Sequence, residues 1–440
     1  MKRSRRFIPV RSLRVAFCIA LLMDCVGVSG ADHTASRSGH SVGLSFGRAI
    51  ELALQQAPSL RAEIARQEAA NHAAGPAASL PDPKLILGVD NVPIEGDERF
   101  SLDSERMTMQ RIGISQQFPN GAKRQARDMA AQSQVSLAAA QTQVTRLQVL
   151  RDVSSAWIAR KTLERQLAKV DALKRENALF DQAVKARVAG GEARTSDVIS
   201  PRVEAAEIDA LQDDLLAKHQ LALASLARWI GEEARSPLIG EAPLWPISSD
   251  IALHSLAHHP ELEVADRKVD FFSAQVREAD AAKRPDWGVT VAYLKRGDEF
   301  SDMASLQFNM DLPLFGGSRQ GPRASAARSE RVAVEAERDA LRREHEAMLV
   351  ADLAEYHRLE KSMQRQRDVM LPLASEKVDL LMAAWRGNKA TLSEVISARR
   401  EKITAQMKEI EIAGAFHQRA ARLHFTYDHE DGERAEGVTP

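Results

Sequence analysis

The sequence is poor in the residues that end helices, cross-link chains or fill thick cores. Its 440 residues include 23 glycines, 17 prolines and 2 cysteines, and aromatic residues make up 5% of the chain. Both cysteines, Cys18 and Cys25, lie near the N-terminus, so a chain without that segment could form no disulfide. Long stretches instead consist of Ala, Gln, Glu, Arg and Leu, a composition typical of long helices.

The chain also lacks a charge excess and long apolar runs. It carries 60 basic and 61 acidic residues, which excludes the strongly basic surface of a nucleic-acid-binding protein and a polyacidic tail. After the first thirty residues no run of 18 apolar residues occurs. A bundle of transmembrane helices is therefore excluded, whereas membrane β-strands, which leave a weaker hydropathy signal, stay possible.

The N-terminus has the layout of an export signal. Six basic residues in Met1–Arg14 precede the apolar run Val15–Met23, and small residues follow. This pattern predicts a signal peptide over residues 1–31; the alternative is a basic amphipathic start of a cytosolic protein. Asp24 before Cys25 argues against a lipid anchor at that cysteine.

Four segments recur in the same order about 200 residues apart, which indicates an internal duplication. The pairs are Ala49–Leu54 with Ile251–Leu256, Pro83–Val89 with Pro285–Val291, Gln117–Arg124 with Leu312–Arg319, and Gly190–Glu204 with Gly387–Glu401. We therefore predict two structural repeats, 44–231 and 251–427, joined by a proline-rich linker at 232–250. The polar tail 428–440 is predicted to be disordered.

Each repeat has the same predicted layout, a helix followed by two strands. The helices are expected at about 45–80 and about 251–283. Alternation of apolar and polar residues predicts the strands. They are Lys84–Asp90, Met107–Phe118 with a bulge, a strand through Val289, Val291 and Tyr293, and Ala304–Leu312.

Very long helical hairpins follow each strand pair. Residues from about 122 to 188 contain no proline or glycine, and apolar residues recur three or four apart. Residues 324–385 repeat this pattern, interrupted by Pro372. Return helices are predicted at 196–229 and 393–423, so that each repeat ends in an antiparallel coiled-coil hairpin.

The predicted fold is mainly α with a small β part. Strands of about ten residues can cross a bilayer, but an open sheet edge cannot lie in lipid. Three chains would supply twelve strands, an even number in the range of membrane barrels. We therefore predict a trimeric 12-stranded barrel that continues into a periplasmic α-helical tunnel. The alternative is an exported, non-conducting coiled-coil scaffold with two β-hairpins.

This layout resembles the TolC-type outer-membrane efflux proteins. The resemblance rests on the ordered repeat, on Pro58-Ser59-Leu60 and Pro260-Glu261-Leu262, and on the two glycine-containing segments at the hairpin tips. It implies a homotrimer in the outer membrane of a Gram-negative bacterium, in contact with its lipid. It also implies a periplasmic adaptor and an inner-membrane RND-type pump as partners, with no enzymatic activity and no cofactor.

A narrower resemblance, to the branch that serves heavy-metal cation pumps, rests on three segments. They are Pro81–Leu85, Asp90–Pro93 and Met107–Pro119. It implies metal cations as the exported substrate. The outer channel of a type I protein secretion system shares every feature described so far and stays open as an alternative.

The hairpin tips are the first candidate site. Gly190 and Gly387 stand where the long helices reverse and are expected to supply the positive φ of a helix end. Gly191 is included with them as a tip residue. Ser196 and Ser393 are expected to cap the return helices. Such residues are common at any helical turn, but the resemblance implies that this region docks the adaptor.

The turn after each tip is the second candidate site, because the resemblance implies that this turn carries an acidic gate. Asp197 and Glu394 lie in the first turn of a helix, where the helix dipole favours an anion. In a trimer, Glu394 would form a ring of carboxylates that attracts cations. Ser397 occupies the position of a second acidic residue in the family, so the resemblance supports only one ring. Arg202 and Arg399 are expected to link neighbouring helix pairs through carboxylates.

Other chemistry finds no support in the sequence. His258 and His259 precede Pro260, and no Cys, Asp or second His follows at metal-ligand spacing. The segment Gly316–Gly321 lacks the lysine and spacing of a phosphate-binding loop. No nucleophile–base pair can be argued, so neither a metal site nor an active site is predicted.

Overall fold

The computed structural model describes residues 43–427. The predicted signal peptide, with Cys18 and Cys25, and the predicted tail lie outside the described residues. The helices are α1 (Phe46–Gln56), α2 (Pro58–Ala74), α3 (Gly121–Ala189), α4 (Ile199–Ile230), α5 (Ser249–Ser255), α6 (Pro260–Ala281), α7 (Gly321–Arg365), α8 (Leu371–Arg386) and α9 (Leu392–Tyr427). The strands are β1 (Lys84–Asp90), β2 (Met109–Phe118), β3 (Trp287–Lys295) and β4 (Met303–Met310).

Helix α3 confirms the predicted rod of the first repeat. It has 69 residues, which corresponds to about 100 Å at about 1.5 Å per residue. It begins where the Asn120 side chain accepts a hydrogen bond from the Lys123 backbone amide at 2.9 Å. None of the helices within residues 43–427 combines the length and apolar composition needed to cross a membrane.

The rod of the second repeat is interrupted, as Pro372 predicts. A π-helical segment, Gln366–Met370, separates α7 from α8, and Pro372 is the second residue of α8. Proline has no amide hydrogen and cannot complete a regular helical turn. The wider π-turn accommodates this break without ending the rod.

Two predicted helices are each divided. The first breaks at Ala57 into α1 and α2, and the second passes through a 3₁₀ turn, Leu256–His258, between α5 and α6. Pro58 and Pro260 are the first residues of α2 and α6, because proline is favoured at a helix start but excluded from a helix interior.

The four strands form one antiparallel sheet in the order β1-β2-β3-β4. The predicted bulge in β2 is wrong, because the pairing runs without interruption from Asp90 opposite Met109 to Lys84 opposite Ser115. Met107 lies before the strand, so its spacing to Met109 says nothing about the pleat. Central pairing of β2 with β3 joins the two repeats.

Antiparallel order places all helical connections at one end of the sheet. Phe118, Trp287 and Met310 lie directly across from one another at that end. The loops 91–108 and 296–302 lie at the opposite end. Helices therefore leave the sheet in one direction only, as the sequence predicts.

Each repeat contributes most of one apolar core, and the first core also includes Ala421 of α9. In the first, Trp157 and Val153 of α3 pack against Ala49 and Leu52 of α1. In the second, Leu349 of α7 belongs to a cluster with residues of α5, α6 and α9. The linker packs onto the first repeat, where Leu238 pairs with Leu44 in a short parallel bridge. The duplication seen in the sequence therefore corresponds to two apolar cores in the fold.

Candidate functional site

One face of the sheet is apolar and exposed. We call it the apolar sheet face. Its side chains are exposed by 44% to 71%, far more than is usual for apolar residues of a strand. The face comprises Leu85, Leu87, Val89, Ile112, Ile114, Trp287, Val291, Tyr293, Leu306, Phe308 and Met310.

The strand register aligns these side chains in rows across all four strands. The most complete row contains Leu85, Ile114, Val291 and Leu306. At the end of the sheet from which the helices leave, Phe118 stacks on Trp287 with ring centroids 4.3 Å apart. Rows in register make a continuous apolar band, which scattered surface residues would not.

The opposite face of the same strands is mostly polar or small, with Ile86, Met109, Leu294 and Met303 as its large apolar residues. Ser115, Thr290 and Gln307 occupy one row, in which the Thr290 hydroxyl hydrogen-bonds the Ser115 hydroxyl at 3.0 Å. A Cβ at Gly113 would lie 2.8 Å from the Ala292 Cβ, so a glycine is required there. Alternation between an apolar and a polar face is the pattern of strands with lipid on one side and water on the other.

The helical tips reverse by the same motif, but one residue later than predicted. Gly190 and Gly387 have negative φ values, −78° and −85°. The left-handed residues are Gly191, with φ 74°, and Asn388, with φ 57°. The prediction for Gly190 and Gly387 is therefore wrong, because the Schellman turn puts the positive φ just after the last residue that continues the helix.

Alanine at these two adjacent glycines is expected to have opposite effects. Gly191→Ala forces an L-residue into the left-handed region, at a cost of about 1–2 kcal/mol. Gly190→Ala fits, because its φ is negative and the nearest atom to a new Cβ would be the Ala186 carbonyl oxygen at 3.5 Å. Hydrogen exchange in residues 186–198 should accelerate about tenfold in Gly191→Ala and not in Gly190→Ala. Equal exchange in the two variants would contradict this assignment.

The predicted caps at Ser196 and Ser393 are also wrong. Ser393 lies inside α9, and the capping box is formed by Thr391 and Glu394. The Glu394 carboxylate accepts from the Thr391 amide at 2.7 Å, and the Glu394 amide donates to the Thr391 hydroxyl at 3.3 Å. Ser196 lies in a 3₁₀ turn, Thr195–Val198, that precedes α4. This turn shifts the helix start beyond the serine.

The acidic residue of each tip receives backbone donors. Asp197 accepts from the Arg194 amide at 3.2 Å, in the same way as Glu394 accepts from Thr391. Hydrogen bonds from the Thr391 amide and hydroxyl lower the pKa of Glu394 below its ordinary value. Both carboxylates therefore stabilise a helix start. Glu394 is nevertheless exposed and Asp197 is half-buried, so the carboxylate of Glu394 stays accessible to solvent.

The two tips contact each other through Arg187, which the sequence analysis missed. Its guanidinium donates to the Trp385 carbonyl and to the Asn388 side-chain oxygen, each at 2.7 Å, and lies 4.3 Å from the Trp385 ring centroid. The corresponding residue of the second repeat is Ala384, so the duplication gives no signal for this arginine. The candidate docking residues are exposed around this contact: Gly190, Gly191, Ser196, Gly387 and Ser393.

Arg399 contacts both helices of the first hairpin from α9. Its Nε lies 3.1 Å and 3.2 Å from the two carboxylate oxygens of Glu204 on α4. Its Nη1 donates to Glu176 on α3 at 3.1 Å, and the guanidinium lies 4.6 Å from the Phe180 ring centroid. We call Arg399, Glu204, Glu176 and Phe180 the hairpin junction.

The hairpin junction is buried at its centre. The side chains of Arg399 and Glu204 are 5% and 3% exposed. Burial raises the pKa of Glu204 above its ordinary value, while the adjacent Arg399 opposes that rise. The neighbouring pair, Arg400 with Glu207, joins the same two helices at 2.6 Å but is exposed. Arg202 and Ser397 are exposed, and their predicted part in a gate stays a prediction.

No protein-family model matches the sequence, and no curated protein matches it. Solved structures do. The chain is similar to the outer membrane protein VceC of Vibrio cholerae, with 19% identity and a TM-score of 0.74 over 87% of this chain and 95% of that one. A membrane protein from Pseudomonas aeruginosa gives 18% identity and a TM-score of 0.76 over 87% of this chain and 90% of that one.

The structure of CusC, described as forming a transmembrane channel, gives 13% identity and a TM-score of 0.74 over 87% of this chain and 91% of that one. These likenesses cover most of both chains in each comparison. At such identities they establish the fold, which is that of TolC-type outer-membrane channels, as the sequence resemblance predicts.

Proposed function

We propose that this protein is one subunit of a homotrimeric outer-membrane channel, the passive exit duct of a tripartite efflux system driven by an inner-membrane RND-type pump. The observation that carries the proposal is the apolar sheet face, in register across four strands and backed by a face that is mostly polar or small. A water-soluble scaffold would expose this band to water at a large cost, since burial of apolar surface is worth about 25 cal/mol per Å². The proposal includes no enzymatic step.

The sheet edges account for the trimer. Within residues 43–427, the outer edges of β1 and β4 pair with no other strand. Each unsatisfied backbone group in lipid costs several kcal/mol. Three copies, joined β4 to β1, satisfy these edges and give a 12-stranded barrel whose apolar sheet faces contact lipid.

The helices supply the periplasmic part of the duct. They leave the sheet at one end, and α3 alone extends about 100 Å. The exposed residues of the two tips form the proposed docking surface for a periplasmic adaptor. The hairpin junction lies just behind this surface, which suits a gate that opens when the hairpins move apart.

Metal cations are the proposed cargo, on the strength of the sequence segments that resemble the heavy-metal branch. A strain that lacks the protein should become sensitive to divalent metal salts, and the gene on a plasmid should restore growth. Unchanged metal tolerance with new sensitivity to organic compounds would overturn the cargo assignment and keep the channel. Loss of a secreted protein instead would favour a type I secretion channel.

Glu394→Ala is expected to weaken cation binding at the channel end. In a trimer the three carboxylates raise the local cation concentration, so the half-blocking concentration of a divalent cation should rise severalfold in bilayer recordings. Because hydrogen bonds lower the pKa of Glu394, the wild-type block should persist at mildly acidic pH. Asp197→Ala is the comparison variant: Asp197 occupies the same position in the first repeat but is half-buried, so its loss should change the block less. Equal block in wild type and Glu394→Ala would contradict the ring.

A further inference from the structure

A cluster of two buried histidines and one half-buried glutamate lies outside the sheet face and the tips. It consists of His259, Glu261 and His345, and we call it the His–Glu cluster. One candidate ligand atom from each of the three residues lies within 4.8 Å of the other two. Their sequence separation explains why spacing along the chain did not predict the cluster: His345 is on α7, whereas the other two begin α6.

The local fold fixes each side chain. Pro260 is the first residue of α6, and His259 is the cap before it, with Nδ1 accepting from the Glu261 amide at 3.2 Å. The ring centroids of His259 and His345 are 4.2 Å apart. Nε2 of His345 lies 3.1 Å from one carboxylate oxygen of Glu261. The whole residues His259 and His345 are 2% and 3% exposed, so water competes poorly for them.

From this geometry we propose that the His–Glu cluster binds one divalent transition-metal ion of the zinc class. Two imidazole nitrogens and one carboxylate oxygen are a common zinc ligand set, which leaves a fourth position for water. Ligand atoms around tetrahedral zinc lie about 3.3 Å apart, given bonds of about 2.0–2.1 Å. The contact of 3.1 Å between His345 and Glu261 is already close to this length. All ligand atoms lie within 4.8 Å of one another, so the widest pair would have to close by at most about 1.5 Å.

Arg151 and Pro260, which lie next to the His–Glu cluster, are compatible with a bound metal ion. Arg151 lies 3.7 Å from the other carboxylate oxygen of Glu261, so one oxygen faces the arginine and the other faces the metal. Such an outer contact orients a ligating carboxylate. At His259, metal binding replaces the capping hydrogen bond, because a neutral imidazole has only one lone-pair nitrogen. Pro260 fixes the helix start without that bond.

The first repeat shows that the fold does not need these side chains. The turn before α2 contains Ala57-Pro58-Ser59 where the turn before α6 contains His259-Pro260-Glu261. Ala57 is fully buried, so an alanine suffices to build the turn. The ligands are therefore specific to the second repeat, where a bound ion would tie α6 to α7, the two helices that flank β3 and β4. This inference does not depend on the proposed channel function.

Metal binding can be measured on the full-length protein in detergent after removal of metals with a chelator. Titration with zinc chloride in a calorimeter should give one ion per chain. Cobalt chloride should give the visible absorption bands of a four-coordinate site. His345→Gln and Glu261→Ser should each weaken zinc binding at least about tenfold and reduce the rise in unfolding temperature that zinc gives the wild type. Glu261→Ser installs the residue of the first repeat, so it decides the matter if His345→Gln fails to fold.

The same chain offers a matched control. His254 and His258 are exposed, lie four residues apart, and have ring centroids 6.4 Å apart, so they could bind zinc adventitiously. The double variant His254→Ala, His258→Ala should keep the buried site intact. The proposal is overturned if the wild type binds no zinc, or if binding survives Glu261→Ser and disappears in the double variant.

Discussion

Arg399→Ala is expected to open the periplasmic end of the channel and to raise its conductance at least about tenfold. Arg399 is the side chain that joins α9 of the second hairpin to both helices of the first. Removing it leaves the Glu204 carboxylate buried without its partner. Breaking a buried ion pair in this way costs about 3–5 kcal/mol, whereas about 1.4 kcal/mol corresponds to a factor of ten in an equilibrium.

Arg400→Ala is the matched control for this prediction. Arg400 is the next residue, joins the same two helices through Glu207, and differs in being exposed. An exposed ion pair contributes about 0–1 kcal/mol, so this variant should conduct like the wild type. If Arg399→Ala forms trimers but conducts no more than Arg400→Ala, the hairpin junction does not hold the channel closed.

Variants at both partners of the ion pair, alone and combined, show whether Arg399 and Glu204 act through their mutual contact. Glu204→Gln removes the charge of the carboxylate but keeps the shape of its side chain. The change in opening free energy in the double variant Glu204→Gln, Arg399→Ala should be smaller than the sum of the changes in the two single variants. This is expected because both single variants break the same contact. Additive effects would mean that the two residues act independently.

Leu306→Arg is expected to prevent stable insertion into the outer membrane. Leu306 lies in the complete row of the apolar sheet face and is 62% exposed. Arginine on the lipid-facing side of a membrane β-strand costs about 2–4 kcal/mol at the bilayer centre, and a trimer carries three copies. The amount of heat-resistant trimer in outer-membrane fractions should fall at least about thirtyfold, which corresponds to about 2 kcal/mol.

The neighbouring residue provides the control. Gln307 is exposed and faces the opposite, polar side of the same strand. Gln307→Arg therefore adds the same charge at the same depth of the membrane, but on the face that is turned toward water. This variant should insert normally. If both variants insert equally well, the apolar sheet face does not contact lipid.

The sequence predicts those parts of this protein that rest on local periodicity. The alternating strand residues give the sheet and its faces, and the absence of proline and glycine between residues 122 and 188 gives the α3 rod. The alignment of the two repeats identifies the two tips and the arginines that follow them, Arg202 and Arg399. These signals suffice because a strand or helix of this length imposes its own period on the sequence.

What the sequence does not predict depends on one-residue detail or on distant contacts. The positive φ lies at Gly191 and Asn388, one residue after Gly190 and Gly387. The sequence shows that a glycine stands at each turn, but not which of two adjacent residues takes the left-handed conformation of the Schellman turn. Arg187 contacts the second tip only because two hairpins pack side by side. His259 and His345 meet across two helices, and no spacing rule for metal ligands covers that distance.

Single-channel recording from the purified wild-type protein tests the central claim most directly. Particles with the mass of three chains, extracted in detergent and added to a planar bilayer, should produce discrete, uniform conductance steps. A monomer that stays soluble without detergent and produces no steps would contradict the account.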